Sequence, residues 1–298
     1  MIIINYVFIV INFFILWRRV MSKITTSTAI DLSRKYFSNF YSLLKDNLSD
    51  NITSFLFRLA NVIYNVIVPI TAFVILIVGI VFAFKTGMFS VLIVAFLLSL
   101  LVFFGDYIAS KFNDANSQII SSNETRISTN AYLELSAFIN IFVAIFLPIL
   151  TLIAWINSPY LVSFAGVIGA LFLSLILILM TIPLLNPKLI NLSVTKESTV
   201  AEDFITITTV LFKIMTFYAN LIAKIITILG SVLVIIYGFS VIASSGFEIM
   251  DNGLQFLMGI GIVSGGLFFP VIMYLVFLYV FLIADIILSI LSIRRISK

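Results

Sequence analysis

Cysteine and histidine are both absent from the 298 residues of the chain. Their absence excludes disulfides, thiolate and imidazole metal ligands, thiol nucleophiles and haem held by histidine. It also removes the side chain that most often acts as a general base near neutral pH. Charge is scarce: Asp, Glu, Lys and Arg make up 10% of the residues, against roughly a quarter in soluble domains. So few charges cannot cover a water-facing surface, and lipid is the expected partner for the remainder. No HExxH, CxxC or GxSxG motif occurs, nor a clustered acidic metal site, nor a Gly-rich phosphate loop. No cofactor, metal or catalytic residue is expected, and the chain reads as a non-enzyme. The net charge of +4 is not a nucleic-acid signal in a membrane protein, where the position of the charges matters instead.

What the sequence has is apolar length. Hydrophobic residues make up 62% of it. A hydrocarbon core of roughly 30 Å needs about 20 apolar residues in a helix rising about 1.5 Å each. Runs of that length cover 62–84, 88–108, 135–156, 160–183 and 225–243, and residues 254–293 add forty almost uncharged positions. Long unbroken runs exclude a closed barrel, whose strands are short and alternate. The expected fold is all-α: a polytopic helical membrane protein of six or seven spans, built as three repeated helical hairpins joined by interfacial amphipathic helices.

Residues 2–17 are apolar and end at Trp17-Arg18-Arg19, with no basic residue before them. They read as an anchor with its N-terminus outside, although Met21-Ser22-Lys23 would also make an ordinary beginning. Over 24–58, Phe37, Phe40, Tyr41, Leu44, Leu48, Ile52 and Phe55 recur at three- and four-residue steps. That is an amphipathic helix for the membrane surface. The stripe Asp203, Thr206, Thr209, Lys213, Thr216, Asn220, Lys224 has the same spacing and predicts an interfacial helix feeding the next span. The chain then divides into an N-terminal segment (1–23), a first hairpin with its amphipathic helix and polar connector (24–131), a second hairpin and connector (132–203), and a third hairpin with its interfacial helix and long C-terminal helix (204–298).

Placing the three hairpin turns on one face leaves that face with Lys85 alone among seventeen Lys and Arg residues. By the positive-inside rule the long connectors and the C-terminus are cytoplasmic, in the cell membrane. Ala60-Asn61-Val62-Ile63, Ile139-Asn140-Ile141-Phe142 and Ala219-Asn220-Leu221-Ile222 sit at matching places, with Asn-to-Asn steps of 79 and 80 residues. They suggest a repeat whose copies enter from the same side, unlike inverted-repeat transporters.

The third hairpin contains Tyr237-Gly238-Phe239 through Ser244-Ser245-Gly246, then Gly265-Gly266-Leu267-Phe268-Phe269-Pro270, then Ile283-Ala284-Asp285-Ile286. Over about 220–293 it resembles an uncharacterised family of small two-helix bacterial membrane domains. The chain lacks the charged residues which that family places soon after its Gly–Pro turn. The resemblance implies architecture and no activity.

Ionisable residues in apolar stretches are the functional candidates of a membrane protein. Asp106 stands at the inner end of a span, as an interface residue or an ion or proton site. Asp285 lies nine residues before Arg294, and Lys224 is the cation that the repeat places close to a cytoplasmic span end. Asn61, Asn140 and Asn220 are candidates for capping or interhelical hydrogen bonds, and Gly261 and Gly265 for close helix packing. The forty-residue apolar stretch would measure about 60 Å as one helix. The other reading is a re-entrant half-span over 254–269 followed by a crossing. The first reading makes the chain a structural or accessory membrane subunit that forms a homo-oligomer or joins other membrane subunits. The second makes it a channel or transporter for a small ion or solute. An enzyme would need acidic residues to converge, for instance Glu134 with Glu202 and Asp203.

Overall fold

The computed structural model describes residues 50–157, 164–194, 200–245 and 248–296, together with Asn39 and Ser42. The anchor expected over 2–17 and most of the amphipathic helix expected over 24–58 lie outside the described residues. Among them, six helices follow in order: α1 (Asp50–Thr86), α2 (Ser90–Ser122), α3 (Ala131–Asn157), α4 (Phe164–Leu185), α5 (Val200–Ala243) and α6 (Glu248–Ile296). All six are long and apolar enough to cross a membrane. The chain is an all-α polytopic membrane protein.

Two compact units emerge. Residues Ser54–Thr129 and Pro187–Lys298 form one, which holds α1, α2, α5 and α6. Residues Asn130–Asn186 belong to the other, with α3 and α4. Three consecutive hairpins are therefore present, but the first and third share a core while the middle one stands in its own unit. In that unit Leu133, Ala137, Ile141 and Ala144 of α3 are buried at helical spacing, as are Val167, Ala170 and Ser174 of α4. Asn140 is half-buried on α3.

The larger unit is a four-helix bundle. Val68, Ala72 and Ile75 of α1, Val102 of α2, Val234 of α5 and Val263 of α6 belong to one buried apolar cluster. At Gly230 and Gly266 neighbouring backbones come close. A Cβ on Gly230 would stand 2.7 Å from the Val263 nitrogen, and one on Gly266 would stand 2.7 Å from the Thr227 nitrogen. Lipid is as apolar as these helices, so small residues and close contact hold them together rather than water exclusion.

The bundle's turn end is well defined. Gly87 closes α1 at φ 72°, and its N–H bonds the Ala83 carbonyl at 2.9 Å. The left-handed backbone there favours glycine. Lys85 donates to the carbonyls of Val241 (3.3 Å), Ile242 (2.5 Å) and Ser244 (2.7 Å). The one basic residue assigned to the turn face thus caps the carbonyl end of α5, where a cation is favoured.

The other end extends far beyond a bilayer. α5 has 44 residues and α6 has 49, about 66 and 74 Å. α2 continues through Asn113 and Asn116 to Ser122, so more than half of the polar connector expected over 109–131 is helix. Beyond it β1 (Thr125–Ile127) and β2 (Leu192–Val194) pair in parallel, Thr125 opposite Leu192, and a 3-10 turn, Pro187–Ile190, precedes β2. Parallel strands need a long crossover, and the α3–α4 hairpin is that crossover.

Candidate functional site

The stripe on α5 explains the far end of the bundle, with its sense reversed. Thr206, Thr209, Lys213 and Thr216 are buried, while Phe204 and Leu211 on the opposite face are exposed. The polar face looks into the protein instead of toward water as an interfacial helix would.

Lys213 is 0% exposed. Its ammonium donates to the Asn123 carbonyl at the end of α2 and to the Asn191 carbonyl (3.2 Å). Asn191 adopts φ 51°, and the same carbonyl also accepts from the Thr125 N–H at 3.1 Å. A buried ammonium needs such acceptors. One turn past Thr206, Asp203 accepts from the backbone N–H of Ser128 (3.0 Å) and from its hydroxyl. On the rim, Glu124 accepts from Ser193 (2.8 Å) and Arg126 (3.1 Å). These two hydrogen bonds, from Ser193 first, hold its carboxyl below the usual glutamate range.

Deeper in the bundle four side chains meet. Tyr64 donates to Asp106 at 2.6 Å. Lys224 donates to Asn61 and lies 5.6 Å from the Tyr64 ring centroid, a cation–π distance. Three of these residues, Asp106, Lys224 and Asn61, are sequence candidates, and α1, α2 and α5 bring them together. Tyr64 is not legible in the sequence as a site residue, because an aromatic residue in an apolar run gives no polar signal.

Between this cluster and Lys213 lies a cavity of about 390 Å³, lined by Asn113, Asn116, Ser117, Thr216, Lys188 and Asn220 among others. Asn113 donates to Asn220 at 3.2 Å, and Asn116 donates to the Pro270 carbonyl at 3.2 Å. Asn116 is 3% exposed and Thr216 2%. Asn113 Oδ1, Asn116 Oδ1 and Thr216 Oγ1 are buried without a partner among the described residues. Asp106, Asn113 and Asn116 are seven and three residues apart, one face of α2, and that spacing could have revealed the cavity wall.

Other candidates fall elsewhere. Asp285 is exposed on α6, far from the cluster in sequence. Gly261 and Gly265 have nothing within 4 Å of a built Cβ. The close packing of α6 within the chain falls on Gly259 and Gly266 instead, because the bundle faces the opposite side of the helix. Residues 254–269 are helical throughout, so the re-entrant half-span is not formed; Pro270 is accommodated inside one continuous helix. Glu134 lies in the unit of α3 and α4, and the side chain of Glu202 lies outside the described residues. Among the described residues no three acidic side chains gather to hold a metal ion. No family model, curated protein or solved structure matches the chain.

Proposed function

We propose that the chain is a non-catalytic structural subunit of a membrane assembly and that it joins a second copy of itself through α6. The observation that carries this reading is an apolar seam, exposed at each of its positions except the half-buried Phe268. Gly261, Gly265, Phe268, Ile272, Leu275, Tyr279, Leu282 and Ile286 succeed one another by alternating steps of four and three. A straight helix drifts about 20° per heptad from such a repeat. A stripe that keeps to it over so many turns suits a supercoiled partner with the same stripe.

The position of the seam strengthens the argument. Tyr279 and Ile286 stand about 46 and 57 Å from Glu248 along the helix, past a hydrocarbon core of roughly 30 Å. Yet Tyr279 is 65% exposed, Leu282 59% and Ile286 52%. Apolar side chains in a row outside lipid call for a protein cover. Gly261 and Gly265, open on the same face within the hydrocarbon, allow the two helices to approach. The basic residues support a cell-membrane orientation with connectors and C-terminus cytoplasmic.

Light scattering on protein purified in mild detergent tests the reading. The expected mass of the protein component is twice that of one chain. A stable monomer across a range of concentrations contradicts it.

A further inference from the structure

We propose that the polar cavity between α2, α5 and the 3-10 turn binds the headgroup of an ethanolamine phospholipid, its primary ammonium held by Asn113, Asn116 and Thr216. Three observations lead to this ligand, independently of how the chain assembles.

The first is depth, taken on two helices. From Ser90, the start of α2 at the turn end, Asn113 and Asn116 lie about 35 and 39 Å along the axis. From Ala243, the end of α5 at the same turn end, Asn220 and Thr216 lie about 35 and 40 Å along that axis. A hydrocarbon core is roughly 30 Å thick, and a bilayer with its headgroups about 40–45 Å. With the turns at one surface, the cavity stands in the opposite headgroup layer.

The second is the donor–acceptor balance. The buried unpartnered atoms of the residues that line the cavity, Asn113 Oδ1, Asn116 Oδ1 and Thr216 Oγ1, all can accept. Leaving acceptors buried and unpaired is costly, so a ligand that brings donors gains by supplying them. A primary ammonium carries three N–H donors and no acceptor. The rings of Phe57 and Phe217, 6.2 Å apart and edge to face, line the same cavity and suit a cation.

The third is the counter-charge. Lys188 is exposed and also lines the cavity. A phosphate two carbons from the ammonium finds a cation there, and the remaining lining is neutral. Its volume of about 390 Å³ is within the range of small-molecule pockets.

Native mass spectrometry of delipidated protein, titrated with phosphatidylethanolamine or phosphatidylcholine of identical chains, tests the proposal. The choline headgroup has the same charge but no N–H donor. Ethanolamine lipid is expected to bind about tenfold more tightly, with mono- and dimethylated headgroups between. Thr216→Val, nearly isosteric, and Asn116→Leu are each expected to narrow that preference. Lys188→Gln is expected to weaken both lipids alike and keep their ratio. Equal binding of the two lipids overturns the proposal, as does a preference unchanged in both Thr216→Val and Asn116→Leu. Free phosphoethanolamine separates the sources. Weaker binding than the lipid supports a lipid site, and binding as tight as the lipid overturns it in favour of a soluble ligand.

Discussion

The Tyr64 hydroxyl on α1 donates a 2.6 Å hydrogen bond to the Asp106 carboxylate on α2. Next to them the Lys224 ammonium donates to Asn61 and lies over the Tyr64 ring. Three helices are thereby tied at one level of the bundle. Tyr64→Phe is expected to destabilise the protein by about 1–2 kcal/mol, since the lost hydrogen bond is to a charged group but intramembrane polar contacts run weak. Asp106→Leu and Lys224→Met are each expected to cost more than Tyr64→Phe, and the double variant less than their sum, because each single change leaves the other charge uncompensated. Unfolding in mixed micelles by increasing SDS measures all four. Strict additivity would mean that the two charges act separately.

Two neighbouring glycines on α6 are expected to behave differently. A Cβ at Gly266 meets backbone of α5, at 2.7 Å from the Thr227 nitrogen and 3.0 Å from the Ala223 oxygen. Backbone cannot rotate away as a side chain can, so Gly266→Ala should push α5 and α6 apart and cost about 1–3 kcal/mol. A Cβ at Gly265 meets nothing within 4 Å, so Gly265→Ala should leave the packing within one chain intact and cost less than Gly266→Ala, any loss coming from the seam between two copies. Melting temperatures of the two variants, compared in one detergent, check the contrast.

The strand pair should loosen in acid. Hydrogen bonds from Ser193 and Arg126 hold the Glu124 carboxyl below its usual range. A depressed carboxyl adds stability above its unfolded value, and the addition is lost as pH falls through the depressed value. From about pH 6 to about pH 3, spanning the usual glutamate range, protection of the Thr125 N–H should fall after correction for intrinsic exchange rates. In Glu124→Gln that added fall should be missing. Equal pH profiles in both proteins would contradict the assignment.

The sequence disclosed the spans because lipid leaves long apolar runs that nothing else requires. It disclosed Asp106, Lys224, Asn61 and Asn220 because polar side chains are conspicuous within such runs. It could not disclose which way a stripe faces. The α5 stripe has the spacing of a surface helix, but its polar side is buried against α2 and the strands, and its apolar side is exposed. The same ambiguity of phase hid which glycines of α6 pack within the chain, since Gly259, Gly261, Gly265 and Gly266 differ only in the direction they point. The parallel strands were illegible because three residues each, separated by a whole hairpin, leave no periodic trace. Lys85 was visible as a lone cation, yet its work on the carbonyls of α5 depends on contacts 156 to 159 residues apart.

Assembly through α6 is the claim on which the functional reading rests, and the chain's lack of cysteine permits a direct test. One cysteine is introduced at Leu282 in the seam, or at Ile287 on the flank of the same helix, and each variant is oxidised in native membranes. Leu282→Cys is expected to run as a covalent dimer on non-reducing gels, and Ile287→Cys as a monomer. A monomeric Leu282→Cys, or cross-linking that is equal at the two positions, would contradict the seam.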